Sequence, residues 1–305
     1  MIFQFKTRNK MIALFTACKS GDLAVVASLV KHGADIHEDD DNAICFAAWC
    51  GHIKIVRFLV ALGANIHVNH DEPVRLAVES GHIKIVKYLV SRGADITARG
   101  NYALYWASFN GNLQMVKYLI RHGADVSSKQ NISLRVAAGN GHLDIVKCLA
   151  EHGGNARDNE EHALLISAEN GHLDIVQYIT SFGIDIDKIN AALYYASSRG
   201  HVHIVKYFVT LGGDTNAYHN PIMWPAQNGH FEMVKYLADR GASIEKVTGK
   251  CLQYLQFCDR MKAKAQKKIY FWWIPICYDM SHPSGCGKRM AQRSLEAYQK
   301  SVHNQ

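Results

Sequence analysis

The sequence has no long apolar run. No window of its 305 residues approaches the ~20 apolar residues that a membrane-spanning helix needs. Met1-Ile-Phe-Gln-Phe-Lys continues to Lys10 without the apolar core of a secretory signal. Paired cysteines are missing too. There are eight cysteines and no Cys-x-x-Cys. Cys18, Cys45, Cys50 and Cys148 sit among apolar residues, as small core residues of a reducing compartment do. These absences predict an intracellular protein. The chain shows no Ser/His/Asp arrangement, no glycine loop able to cradle a phosphate and no carboxylate pair in a pocket-like setting, so no enzyme, catalytic residue or cofactor is expected. The first 242 residues have no net charge, with 23 basic and 23 acidic side chains. The whole excess of +7 lies in residues 243–305.

What the chain has is a repeat. Glycines recur at Gly21, Gly51, Gly81, Gly111, Gly141, Gly171, Gly200 and Gly229, spaced by 30 five times and then by 29 twice. Counting from each, a second glycine stands at +12, valine at +5, an aliphatic residue or Phe231 at +2, and Leu, Ile179 or Phe208 at +8. That spacing lays one apolar stripe along a helix ending at the second glycine. A shorter helix precedes the first glycine, with an aliphatic residue at −7 and alanine at −4 in six of eight units. Helices this short are marginal alone, so each pair must be covered by its neighbours. Two units depart from the pattern. The seventh loses a residue around Asp187–Ala191, and Pro225 at −4 should shorten or bend the eighth inner helix.

GHIKIVKYLVSRGADI (81–96) and GHLDIVKCLAEHGGN (141–155) resemble the second helix of an ankyrin repeat, and NAICFAAWCGH (42–52) resembles the first. The family's Thr-Pro-Leu-His opening survives only as Pro73, Pro221 and the aliphatic residue at −7. The resemblance covers roughly residues 11–242. It implies an all-α ankyrin-repeat solenoid of eight helix-turn-helix units, preceded by a leader (1–10) and followed by a basic, aromatic, helical C-terminal extension (243–305). The period falls short of the family's usual value of about 33. The missing residues come from the connector, which implies stubby β-hairpin fingers. The 30-residue wording is similar to ankyrin proteins of giant amoeba-infecting DNA viruses, which implies a viral protein in the host cytoplasm.

The family also implies function: non-enzymatic binding of a protein partner, here a host protein, by a monomeric scaffold. Its partners meet the finger tips and the concave face of the inner helices. Carried over by position, that face displays Trp49, Phe109 and Arg199, and the connectors display Arg99, Lys129 and Tyr218 beside the acidic run Glu38–Asp41. Aromatic residues on a groove make plausible hot spots, although packing on a neighbouring inner helix would explain them equally well. The histidines at +1, present in six of the eight units with Asp22 and Asn112 in the other two, fall one to a unit and roughly 10 Å apart, too far for a shared metal with bonds near ~2 Å. They, and the tyrosine row at +7, are expected to be structural.

The extension allows three readings. A helix over 249–273, with Cys251, Leu255, Cys258, Ala265, Ile269 and Trp272 on a stripe interrupted by Lys262, could cover the last repeat. Phe271 and Trp273 point elsewhere on that helix and are candidates for partner contact. The basic and aromatic residues would alternatively suit an anionic membrane surface or nucleic acid, partners expected less than protein. Cys251, Cys258, Cys277, His282 and Cys286 have zinc-ligand chemistry, but their spacing lacks tight pairs and no metal site is expected.

Overall fold

A computed structural model describes residues 2–153, 156–217, 221–245 and, from 247 to 263, all but 248, 254, 257, 261 and 262. Side chains are described from residue 9 onward, except at 128–130 and 156–160. Among the described residues the fold is helical, with no strand. The first four helix pairs are α1 (Ile2–Ser20) with α2 (Leu23–Lys31), α3 (Glu38–Trp49) with α4 (Ile53–Ala61), α5 (Val68–Glu79) with α6 (Ile83–Ser91), and α7 (Ala98–Phe109) with α8 (Leu113–Arg121). They are followed by α9 (Ser128–Gly139) with α10 (Leu143–Glu151), α11 (Ala156–Asn170) with α12 (Leu173–Thr180), α13 (Ile186–Arg199) with α14 (Val202–Thr210), and α15 (Met223–Asn228) with α16 (Phe231–Asp239). Residues 2–10, expected as a leader, are helical and continuous with the first inner helix. Two compact units divide the chain, Met1–Tyr218 and His219–Gln305.

In the first unit each inner (odd-numbered) helix packs on the next inner helix and on its own outer partner, while successive outer helices touch sparingly. The small residue at −4 permits the close inner approach: Ala47, Ala77, Ala107, Ala137 and Ala196 are wholly buried, and Ser167 takes the same place. On the outer helices the stripe is shifted from the one expected. Position +4 carries the core, with Ile55, Ile85, Met115, Ile145, Ile175 and Ile204 buried alongside the valine at +5 and the residue at +8. Position +2 is only half-buried through the first unit. In the first pair, which no described pair precedes, Val25 at +4 is exposed, so +4 faces the preceding repeat. Each such aliphatic side chain, fully buried, stabilises the stack by about 1.5–3 kcal/mol.

The connectors differ from the expected β-hairpins. In place of strands the chain makes a left-handed turn of three consecutive residues before the inner helix: Asp39-Asp40-Asp41, Asn69-His70-Asp71 and Arg99-Gly100-Asn101 all have φ between 48° and 70°. Asn131, at the matching position of the next repeat, is left-handed too, at φ 57°. L-residues resist this region by roughly 1–2 kcal/mol each, Asn and Asp least. Among the described residues, Asn and Asp supply seven of the nine non-glycine residues with positive φ. With a 30-residue period the connector is too short for two paired strands, and the left-handed turn reverses the chain within three residues.

The residue that ends the turn points inward, and Asn190, inside a helix, takes the equivalent place. The Oδ1 of Asp41, Asp71, Asn101 and Asn190 accepts the backbone N–H twenty-four residues on, at Asn65, Asp95, Asp125 and Asp214, over 2.8–3.2 Å. All four are buried. His37 and His67 donate from Nδ1 to Asp41 and Asp71 at 2.9 and 2.8 Å. Of the acidic run, Asp39 and Asp40 are exposed, whereas Asp41 is an inter-repeat hydrogen-bond acceptor.

The seventh pair shows what a missing residue does. It has no left-handed turn: Asp185, extended at φ −61°, ψ 142°, immediately precedes α13, which runs straight through Asn190. In the second unit, α15 has six residues, with Pro225 in its first turn where a proline is tolerated. Val247, Cys251 and Leu255 of the extension are buried, and Cys251 Sγ–H donates to the Ala226 carbonyl at 3.1 Å. The described positions between 249 and 260 are helical.

Candidate functional site

The inner-helix face of the first unit is built on a row of histidine pins. His52, His82, His142, His172 and His201 open the outer helices but make no side-chain cap to their own helix. Instead each Nε2–H donates to a carbonyl at −2 of the preceding repeat: Lys19, Trp49, Phe109, Gly139 and Glu169, at 2.8–3.1 Å. Where +1 is Asn112, that side chain caps α8 by accepting from Met115 N–H, and Asn110 Nδ2 reaches the Glu79 carbonyl at 2.7 Å. Every backbone at −2 from Lys19 to Glu169 is therefore tied to the next repeat, and the side chains there, at all but Gly139, are held at the inner-helix ends. The rings also explain the first glycines. A Cβ on Gly111, at φ 74°, would stand 2.6 Å from the His142 ring, and Gly51 meets His82 in the same way. Opposite Gly81 only Asn112 lies near, at 3.6 Å.

Trp49 and Phe109 stand in this row, 49% and 39% exposed, although both are large and apolar. Glu79 separates them and accepts a long hydrogen bond from the Tyr102 hydroxyl at 3.4 Å. Phe109 ends an aromatic stripe along α7. Its ring is 5.3 Å from Trp106 and 6.3 Å from Tyr105, and Trp106 is 5.9 Å from Tyr102. Trp106 Nε1 is buried with no hydrogen-bond partner among the described residues. Arg75 is buried beside them. Its guanidinium donates to the His70 and Asn69 carbonyls at 3.0 and 2.8 Å and lies 5.3 Å from the Tyr102 ring centre, so it braces the left-handed turn and is not displayed. Towards the first repeat Phe15 packs on Phe46 at 5.3 Å, with Lys19 Nζ 4.1 Å above the same ring.

The other expected contact residues scatter. Arg199 lies on the inner face but is bound to Glu169, donating from Nε at 3.1 Å and from Nη2. Arg99 sits in a left-handed turn, exposed, away from the row of Trp49 and Phe109. Lys129 is the equivalent of Arg99 in the next repeat, and its side chain, like Tyr218, Phe271 and Trp273, lies outside the described residues. The aromatic stripe Tyr102, Tyr105, Trp106 was missed from sequence, although its spacing of three and four from Phe109 was visible. Trp224, 46% exposed at −5 of the eighth repeat, was missed too.

Three tyrosines at +7 carry a cation from the preceding repeat. Arg57 lies over Tyr88, Lys87 over Tyr118 and Lys147 over Tyr178, each cation reaching from the preceding repeat to 5.3–5.7 Å. Burial pushes the Cys18 and Cys45 thiols up to about 12, with Cys50 adding to the first and the Glu72 and Asp41 carboxylates to the second. Among the described residues no three His, Cys, Asp or Glu side chains converge as metal ligands, and no helix is long and apolar enough to cross a membrane. Cys277, His282 and Cys286 lie outside the described residues.

A family model for ankyrin repeats in three copies matches the chain over residues 2–70, 67–130, 127–190 and 186–248. No curated protein matches it in sequence. Stacked helix pairs, glycine caps at a fixed phase and this match over most of the chain establish that it belongs to the ankyrin-repeat family.

Proposed function

We propose that this chain is a protein-binding scaffold whose inner-helix face, over repeats two to four, holds a partner through Trp49 and Phe109. Ankyrin-repeat proteins generally act as non-enzymatic binding scaffolds. The observation that carries the reading is the pair of exposed rings on backbones tied to the next repeat. A rigid aromatic anchor loses little entropy on binding and forms the usual centre of an interface. Glu79 between them favours a partner segment with apolar side chains around a cation. Arg99, Lys129, Arg199 and Tyr218 would then lie outside the anchor region, and Phe271 and Trp273 would form a separate contact. The 30-residue period supports the further reading of a giant-virus protein acting on a host partner in the cytoplasm. Burial of Val247, Cys251 and Leu255 favours a covering role for the start of the extension.

The test is affinity capture with the full chain beside the Trp49→Ala/Phe109→Ala variant. We expect proteins retained by the first and lost from the second, with the two melting curves superimposed. An identical set captured by both would refute the assignment.

A further inference from the structure

The first 242 residues are neutral in sum but not in layout. Helices α4, α6 and α8 contain Lys54, Arg57, Lys84, Lys87, Lys117 and Arg121, and no Asp or Glu. All six cations are exposed. None of them forms an ion pair among the described residues. The acids of these repeats sit elsewhere, in the connectors at Glu38–Asp41, Asp71, Asp95 and Asp125 and on the inner helices at Glu72 and Glu79. The patch ends at α10, where Asp144 occupies +3. Lysines 54 and 84 form one row, and Arg57, Lys87 and Lys117 a second row about one turn further along the helices.

We infer that this outer face of repeats two to four is a second docking surface, for an acidic polypeptide segment. Arg57 and Lys87 are held over Tyr88 and Tyr118, so their positions repeat with the stack. Packed helices are spaced by about 8–10 Å. Carboxylates seven residues apart on an acidic helix are about 10.5 Å apart, a comparable pitch. Single-stranded nucleic acid is held largely by stacking of bases on open aromatic rings, and the rings here are covered by cations. An interfacial lipid site adds apolar side chains that enter the bilayer, and the buried stripe at +4, +5 and +8 leaves none standing between these two rows.

The test uses the full chain and a fluorescein-labelled helical peptide of Glu-Ala-Ala-Glu-Ala-Ala-Gln heptads, read by anisotropy. Binding should be present at low salt and vanish near 1 M salt, where the screening length is about 3 Å. Neutralising the patch as K54Q/K84Q/K87Q/K117Q should weaken it at least about tenfold, the scale of steering by a charged surface. K84R/K87R should bind like the parent, and so should W49A/F109A, which separates this surface from the inner face. If the fourfold variant does not fold, K54Q/K84Q touches no ring contact and should still weaken binding several-fold. No binding, or equal binding by the neutralised variants, overturns the proposal, the latter assigning the effect to the charged extension. Tighter patch-dependent binding of single-stranded DNA, or of vesicles of phosphatidylserine and phosphatidylcholine in equal parts, overturns the acidic-polypeptide assignment.

Discussion

Two glycines at the same place in successive repeats should respond differently to alanine. Gly81 and Gly111 both have left-handed backbones, at φ 79° and 74°. Alanine at either therefore costs about 1–2 kcal/mol in backbone strain. At Gly81 the new methyl has room, because its nearest neighbour outside the turn is Asn112 at 3.6 Å. At Gly111 it would stand 2.6 Å from the His142 ring, an impossible contact. The ring can escape by swinging outward, but it then gives up its hydrogen bond to the Phe109 carbonyl at 3.1 Å. A bond of that kind contributes about 1 kcal/mol. Gly111→Ala should thus cost about 1 kcal/mol more than Gly81→Ala. The excess should disappear when His142 is already alanine, giving a coupling energy of about 1 kcal/mol in a double-mutant cycle. Urea unfolding followed by circular dichroism would measure it. Equal costs at the two glycines, or an excess that survives His142→Ala, would refute the account of the first glycine as a seat for the next repeat's histidine.

Asp71→Ala should cost about 1–3 kcal/mol in the same assay, because it orphans the Asp95 amide and the His67 ring. Asp71→Asn should cost under about 1 kcal/mol, since asparagine fills the same role at 101 and 190. Cys18 and Cys45 should resist a thiol reagent in the folded chain at neutral pH and react only on unfolding. Their raised pKa values have a further consequence with a definite sign. The unfolded thiols ionise from about pH 9.0, while the folded ones hold their protons to about 12. Their contribution to stability is therefore whole below pH 9.0 and is lost as the pH rises towards 12. A C18A/C45A variant should show a flatter loss of melting temperature over that range, and an unchanged slope would count against the burial of these thiols.

Much of the fold was legible because it depends on near neighbours in the chain. A helix face needs only a period of three to four, so Val26, Val56 and their equivalents marked the outer helices. Glycine at +12 marked the caps, and all the second glycines have positive φ. Pro225 foretold a short α15. Trp49 and Phe109 were marked by their place at the end of an inner helix, but the sequence left exposure and packing on a neighbouring helix equally open, and only the structure shows the rings exposed. What the sequence by itself determined was thus the order of the helices, the caps that end the outer ones and the phase of the stack.

Tertiary structure decided the rest, because the partners lie a whole repeat away. Nothing local separates a histidine that caps its own helix from one that donates to a carbonyl 33 residues earlier, at His52 and Lys19. Asp41 looked like one more charge in an exposed run until Asn65 was brought beside it. The left-handed turn at Asp39–Asp41 carries a local strain that no single connector would choose. It is held because each turn presents an acceptor to the backbone of the next repeat, and that contact exists only once the repeats are stacked.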